Sequence, residues 1–253
     1  MRYHARVGIR LLAWILLVLL CVPAGLAEEV VPAAVVPSEY HHPEVPTPDV
    51  PACERVEDAY FSGAVLVGDS LADGLGIHNL LPELQLMSRI GLTPYSARTS
   101  AVFKQDGKPV TIVQKLPYMR PTAVYLWLGS NSLMGTGEDR VIYEYERLLR
   151  LLVKALPNTP FYLLEATPVT QEAKCTNERI DAFNRSLYAL AEKYNVYLLP
   201  TNSLLKGQDG CLVADYGAED GVHLKAAAYE LLAEYLYTHA LPVLEVQEEE
   251  PLA

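Results

Sequence analysis

Basic residues are too few in this chain to balance its acidic ones. The 253 residues include 20 lysines and arginines against 31 aspartates and glutamates, and the formal net charge at pH 7 is −11. Such an acidic surface repels both the phosphate backbone of nucleic acids and anionic lipid headgroups. The composition therefore argues against nucleic acid as a partner, and it favours solubility.

Long apolar runs are also lacking, apart from one near the beginning of the chain. Residues 11–22 are apolar, three arginines precede them, and small residues follow at 23–27. This run falls short of the ~18 residues expected of a membrane-spanning helix, and the arrangement is typical of a secretory signal peptide. We predict a signal peptide at 1–27 and a secreted or extracytoplasmic protein. The alternative is an uncleaved membrane anchor through residues 11–24, and contact with a membrane is expected only in that case.

Cysteine is scarce, and it is odd in number once the signal peptide is removed. Cys53, Cys175 and Cys211 remain, so at least one of them lacks an intramolecular partner. Export permits disulfides. The loops that carry Cys175 and Cys211 follow two predicted neighbouring strands, and we predict a Cys175–Cys211 disulfide. Three reduced thiols are the alternative.

Proline is concentrated ahead of the predicted domain. Six prolines lie within residues 28–55, which predicts a semi-extended linker. His41 and His42 lie in this segment without a cysteine or carboxylate cluster beside them, so we expect no metal and no other cofactor. The folded domain is predicted at 56–241, and an acidic tail follows at 242–253.

The rest of the chain alternates short apolar runs with amphipathic stretches. The runs are typical of buried parallel strands, and the stretches have the apolar spacing of helices. The predicted strands are 64–67, 83–90, 122–128, 161–164 and 196–199, with a small hairpin around 105–108; the predicted helices are 71–81, 111–116, 138–155, 179–194 and 224–239. The alternation predicts an α/β fold, a three-layer α/β/α sandwich with a mainly parallel sheet of roughly five strands.

A serine follows the first of these strands. Gly68 and Asp69 close the strand, and Ser70 stands where a helix begins. Ligands of open α/β sheets bind at the carboxyl ends of the strands, and a helix N-terminus attracts a developing anion. Ser70 is therefore a candidate nucleophile, although Gly-Asp-Ser is also common in turns.

A histidine with a nearby aspartate precedes the last predicted helix. Asp220 stands three residues before His223 on a tight loop, so its carboxylate can reach the imidazole. Hydrolysis by a serine needs a base for the hydroxyl proton and a carboxylate that orients this base. The alternative is that Asp220 caps the last helix and His223 lies on its surface.

Two further residues are candidates for an oxyanion hole. Asn131 follows the Trp127-bearing strand in Gly-Ser-Asn, and Gly91 closes the second strand. The Asn131 amide and the backbone N–H groups of Ser70 and Gly91 are suitable donors for the oxyanion of acyl transfer. Turn formation is the alternative role for Asn131, and a plain strand end is the alternative for Gly91.

In their order and spacing, these four segments resemble the SGNH hydrolases, also called the GDSL esterase/lipase family. The motifs are GDSL at 68–71, a glycine after the second strand, GxN at 129–131 and DxxH at 220–223. The resemblance implies a flavodoxin-like order of strands. It also implies Ser70 as nucleophile, His223 as base, Asp220 as the residue that orients it, and an oxyanion hole from Ser70, Gly91 and Asn131. Ser132 is a departure, because the family often has aspartate at that position.

Two kinds of function follow. The first is a secreted serine esterase whose substrate is an ester, with O-acetyl groups of carbohydrate or cell-wall glycans as the expected class. Lysophospholipase, thioesterase or acyltransferase activity would use the same triad. The second is a non-catalytic surface module that binds glycans on the same fold.

Overall fold

The computed structural model of the protein describes residues 47–242. The predicted signal peptide, most of the predicted linker and nearly all of the acidic tail lie outside these residues. None of the helices between residues 47 and 242 has the length and hydropathy of a membrane-spanning segment.

Seven strands and eight helices follow a short 3-10 helix at Asp58–Phe61 in the described chain. In chain order they are β1 (Val65–Gly68), α1 (Ser70–Ile77), β2 (Gln85–Ser88), α2 (Pro94–Thr99), β3 (Phe103–Gln105), β4 (Lys108–Val110), α3 (Ile112–Met119), β5 (Val124–Trp127), α4 (Ser130–Leu133), α5 (Glu138–Ala155), β6 (Phe161–Leu164), α6 (Asn177–Tyr194), β7 (Tyr197–Leu199), α7 (Asn202–Leu205) and α8 (Ala226–Thr238).

Five strands form one parallel sheet in the order β2-β1-β5-β6-β7. Strands β3 and β4 pair separately as an antiparallel hairpin. Because all five strands point the same way, their carboxyl ends lie at one edge of the sheet. The loops after β1, β2, β5, β6 and β7 therefore open at that edge.

The sheet separates two apolar cores, as the alternation of side chains along a strand requires. Val65 and Val67 of β1 pack with residues of α3, α5 and α6 on one face. Leu66, between them, packs with residues of α1 and α8 on the other face. The predicted three-layer α/β/α sandwich is thus confirmed.

Three helices of four to six residues, α2, α4 and α7, were not predicted. Helix α2 has a local signal, since Thr93 and Ser96 form a capping box and Pro94 occupies the first turn. Longer helices are predicted from apolar residues that recur over several turns. These three helices have only one or two turns, so they cannot display that spacing.

The end of the predicted linker belongs to the domain. The Pro48 carbonyl accepts a hydrogen bond from the Leu198 N–H at 2.7 Å, and Asp49 forms a parallel bridge with Leu198. Val50 is 4% exposed. Strand β7 lies at the edge of the sheet, where its backbone groups are open to pairing. Pro48 and Asp49 pair with one residue of this edge, which a proline-rich composition did not predict.

The predicted Cys175–Cys211 disulfide is wrong, because Cys53, Cys175 and Cys211 are all free thiols in the structure. The loops do meet as predicted: the Leu212 N–H donates to the Val169 carbonyl at 3.0 Å. The Cys175 side chain, however, is buried in the apolar core, whereas Cys211 is half-buried in its own loop. The two loops are neighbours, but the sulfur atoms of Cys175 and Cys211 are not bonded.

Candidate active site

Ser70 stands at the carboxyl edge of the sheet, where β1 meets α1. Asp69 caps the helix, since its Oδ1 accepts a hydrogen bond from the Leu71 N–H at 3.0 Å. A side chain at Gly68 would place Cβ only 2.3 Å from Cβ of Ala72. Glycine thus permits the abrupt turn from strand to helix that presents Ser70.

The structure brings the three predicted triad residues together. The Ser70 Oγ lies 2.9 Å from Nε2 of His223, and His223 Nδ1 lies 2.5 Å from Oδ2 of Asp220. The hydroxyl, the imidazole and the carboxylate therefore form one continuous chain of hydrogen bonds. The side chains of His223 and Asp220 are about half exposed, at 47% and 50%, so a substrate can reach them.

The loop before α8 holds Asp220 in place. Its Oδ1 accepts hydrogen bonds from the backbone N–H groups of Val222 at 3.0 Å and His223 at 2.9 Å, which leaves Oδ2 for the imidazole. Partial desolvation by itself would raise the pKa of Asp220. The hydrogen bonds from the His223 side chain and from the two N–H groups outweigh it and lower the pKa to about 2. Asp220 is therefore ionised at neutral pH.

Asn131 is held by Asp69, the residue that precedes Ser70. The Asn131 Nδ2 donates to Oδ2 of Asp69 at 2.7 Å, and Asp69 is 1% exposed. A primary amide nitrogen carries two hydrogens, so the second one is available to a substrate oxygen. The bond to Asp69 sets the direction of that second N–H.

Asp69 was not predicted as a site residue. Burial raises its pKa, against the opposing effects of the hydrogen bonds from the Leu71 N–H and Asn131 and of the nearby His223 charge. Its position just before a helix is a recognisable capping signal in the sequence. Its contact with Asn131 is not, because 62 residues separate the two in the chain.

Gly91 lies in the turn that follows β2, and β2 is the neighbour of β1 in the sheet. The φ angle of Gly91 is +75°. The turn is exposed, and a hydrogen bond from the Leu92 N–H to the Arg89 carbonyl closes it. Among the described residues, no hydrogen bond joins Gly91 to Ser70, His223 or Asn131. The structure thus brings Gly91 to the predicted edge without a direct bond to the other site residues.

No metal centre is evident in the described chain. Between residues 47 and 242, no three His, Cys, Asp or Glu side chains are grouped so that they could hold a metal ion.

The sequence matches the model of a known protein family. The model of the GDSL-like Lipase/Acylhydrolase family matches residues 66–231, which include Ser70, Asn131, Asp220 and His223. A search of curated proteins finds no match.

Several solved structures share the fold. A Streptococcus pneumonia protein whose name refers to platelet activating factor is 21% identical, with a TM-score of 0.56, over 69% of this chain and 81% of that one. A GDSL-like lipase from Bacteroides thetaiotaomicron is 15% identical, with a TM-score of 0.53, over 71% and 87% of the two chains. A mutant of an acetyl-xylooligosaccharide esterase from Geobacillus Stearmophilus is 18% identical, with a TM-score of 0.51, over 68% and 90%.

The family model spans well over half of the chain, and the fold and the order of the motifs agree with it. This protein therefore belongs to the GDSL-like lipase/acylhydrolase family, the SGNH hydrolases, and is a carboxylic ester hydrolase of that type.

Proposed function

We propose that the protein is a serine esterase in which Ser70 is the nucleophile, His223 the general base and Asp220 the residue that orients the base. The observation that carries this proposal is the hydrogen-bonded series from Ser70 Oγ through His223 to Asp220, at 2.9 and 2.5 Å. A carboxylate on Nδ1 selects the tautomer whose Nε2 lone pair faces the serine, as a general base requires.

The reaction then runs in two halves. Ser70 Oγ gives its proton to His223 Nε2 as it attacks the ester carbon, and the carbonyl electron pair moves onto oxygen. Collapse of this intermediate breaks the bond to the alcohol, which leaves with the proton from Nε2. Water then gives a proton to Nε2 as it attacks the acyl-enzyme. In the second collapse the bond from the acyl carbon to Ser70 Oγ breaks, Nε2 returns the proton to Oγ, and the acid leaves.

The oxyanion of each intermediate needs preorganised donors. The second N–H of Asn131 supports this role, because the first is bonded to Asp69 and fixes the amide. The backbone N–H of Ser70, in the first turn of α1, is a second donor, and Gly91 is the third donor that the family resemblance implies. Loss of one such donor typically lowers kcat about 10²–10³-fold.

We further propose O-acetyl groups of carbohydrates as the substrates. The structural likeness to an acetyl-xylooligosaccharide esterase supports this class. The half-exposed triad suits a substrate that approaches from solvent. Lipid or thioester hydrolysis and acyl transfer would need the same triad, and a panel of acetyl, butyryl and octanoyl esters separates these activities.

Export is part of the proposal, and the N-terminal sequence supports it. Residues 1–27 have the charge and apolar pattern of a signal peptide. Expression of the full chain, followed by N-terminal sequencing of the protein outside the cytoplasm, tests this. A new N-terminus near Glu28 supports cleavage, and an intact Met1 in the membrane fraction supports the anchor instead.

The nucleophile can be tested with a fluorophosphonate probe and p-nitrophenyl acetate. We expect the wild-type protein to be labelled at Ser70 and to hydrolyse the ester. Ser70→Ala should abolish labelling and lower kcat about 10⁴–10⁶-fold, because a triad serine has no substitute. Ser203→Ala, a change at an exposed serine of α7, is the matched control and should retain both properties.

A folded wild-type protein that is neither labelled nor active would contradict the esterase and favour a glycan-binding module. Retention of more than about a tenth of the activity in Ser70→Ala would exclude Ser70 as nucleophile, since triad losses are far larger.

A further inference from the structure

The first turn of helix α1 carries a carboxylate as well as the proposed nucleophile. Asp73 stands three residues after Ser70, so both side chains lie on the same side of the helix. A carboxylate one turn from the nucleophile opposes the negative charge that develops on the ester oxygen during the reaction. Chemistry at the ester therefore gives no reason for an acidic residue at this position, and its contacts must be sought elsewhere.

Asp73 contacts the end of strand β2. The Ser88 hydroxyl donates a hydrogen bond to Oδ1 of Asp73, and both side chains are partly buried. Ser88 is the last residue of β2, and it is paired with Gly68 of β1 in the sheet. A side-chain hydrogen bond thus joins the start of α1 to the point where the chain leaves β2.

Two backbone hydrogen bonds also hold the turn that follows β2. The Arg89 N–H donates to the Gly68 carbonyl at 3.2 Å, and the Leu92 N–H donates to the Arg89 carbonyl at 3.0 Å. Gly91 itself is exposed, and among the described residues no atom beyond its chain neighbours lies within 4 Å of the place that a Cβ would occupy. Side-chain packing therefore does not hold Gly91, and the direction of its N–H depends on the bonds at the start of the turn.

We propose that Asp73 is a positioning residue, which through Ser88 fixes the turn that presents the Gly91 N–H to the oxyanion. The helix that carries the nucleophile then also holds one of the oxyanion donors, so the distance between the two is set by a single hydrogen bond. Asp73 itself takes no part in the proton transfers. The inference rests on the proposed esterase function and on the proposed donor role of Gly91.

Three variants separate the hydrogen bond from the charge. Ser88→Ala removes the bond and leaves the carboxylate, Asp73→Asn removes the charge and leaves an acceptor, and Asp73→Ala removes both. We expect Ser88→Ala and Asp73→Ala to lower kcat about tenfold, less than the loss of a whole donor, because the N–H is misdirected and not absent. KM should stay within about twofold, and Asp73→Asn should restore kcat to within about threefold of the wild type. Steady-state kinetics with p-nitrophenyl acetate measure both constants.

Glu178→Ala is the matched control for the charge of Asp73. Glu178 is the acidic residue in the first turn of α6, and it is exposed. Its loss removes a similar interaction with a helix dipole and should leave kcat unchanged. The double variant Asp73→Ala/Ser88→Ala should be no slower than either single variant, since both remove the same bond.

The turn can also be observed without any substrate. In a protein labelled with ¹⁵N-glycine, the amide signal of Gly91 should shift or broaden in Asp73→Ala and in Ser88→Ala, and Asp73→Asn should restore it. Gly107 is the internal reference, because it lies in the β3–β4 hairpin with φ +76°, close to the +75° of Gly91. Its signal should stay unchanged in all three variants.

An unmoved Gly91 signal in Asp73→Ala overturns the proposal, whatever the activity of the protein. An equal loss of kcat in Asp73→Asn and Asp73→Ala, with Ser88→Ala like the wild type, overturns it as well, because the charge and not the bond would then matter. A change in KM alone has the same consequence. Failure of the wild type to hydrolyse any ester would refute the proposed esterase function, and the glycine signals would still decide whether Asp73 holds the turn.

Discussion

At the scale of single residues, the site depends on two carboxylates in opposite environments. Asp220 is half exposed and its pKa is lowered to about 2, whereas Asp69 is buried and its pKa is raised. The first carboxylate bonds to the imidazole of His223, and the second accepts from the amide of Asn131. Each of these arrangements leads to a separate prediction.

Asp69→Asn should lower kcat without preventing folding. Asparagine can still cap α1 through its side-chain oxygen, but its amide nitrogen would face the Asn131 amide and repel it. We expect kcat to fall about 10²-fold, with little change in KM, because the donor to the oxyanion is misdirected. Steady-state kinetics with p-nitrophenyl acetate measure both constants.

The double variant Asp69→Asn/Asn131→Ala separates a positioning role from a general defect. If Asp69 acts through Asn131, the double variant should be no slower than Asn131→Ala alone. Additive losses would show that Asp69 has another role in the reaction.

The stability conferred by ionised Asp220 should depend on pH at the acid end of the scale. Its pKa is about 2 in the folded protein, below its ordinary value of 3.8, so the ionised form stabilises the fold. This contribution is complete above pH 3.8 and disappears as the pH falls through about 2. The difference in unfolding free energy between the wild type and Asp220→Asn should thus be constant from pH 5 to 6 and shrink between pH 4 and 2.

Urea denaturation at each pH measures this difference. A gap between the two proteins that stays constant down to pH 2 would mean that the carboxylate gains nothing from its bonds to the loop.

At the scale of elements, the turn from β5 to α4 positions Asn131. Gly129 caps α4 with φ 131° and ψ −38°, a conformation that other residues rarely adopt. A Cβ there would also lie 2.8 Å from Cζ of Phe183, a ring buried in the core. The backbone and the packing therefore both require glycine at this turn.

Gly129→Ala should destabilise the fold by about 1–3 kcal/mol, the usual cost of a strained backbone position. It should also lower kcat, since Asn131 is two residues further along the chain. Gly135→Ala is the control, because no atom lies within 4 Å of a Cβ at that position. Equal stability and activity of the two variants would contradict this account of the turn.

At the scale of the whole molecule, the segment before the first strand completes the sheet edge. Residues 47–55 bond to β7 through Leu198 and to the end of α8, where the Cys53 N–H donates to the Thr238 carbonyl at 2.7 Å. Val50 is buried in the same segment. These residues therefore pack against the domain predicted at 56–241.

A chain that begins at Glu57 should be less stable than one that begins at Thr47. The loss should be at least about 2 kcal/mol, of which burial of Val50 alone accounts for about 1.5–3 kcal/mol. Thermal or urea unfolding measures the loss, with the chain from Glu28 as the control. An equally stable chain from Glu57 would show that the segment adds nothing to the domain.

The sequence by itself determined the α/β class, the strand and helix order and the three triad candidates. These features are encoded locally: helix α5 was predicted at its observed bounds, 138–155, because eighteen residues display its periodicity. A strand followed by Gly-Asp-Ser and a loop with Asp220 and His223 likewise carry their signals within a few residues.

Only the tertiary structure decided which distant side chains meet. It paired Asp69 with Asn131, left Cys175 apart from Cys211, and joined Arg98 to Glu144. These outcomes depend on how α2, α5 and α6 pack against the sheet. A side chain in a different rotamer there would contact a different partner. Local patterns determine that a loop reaches the edge of the sheet, but packing determines which way its side chains point.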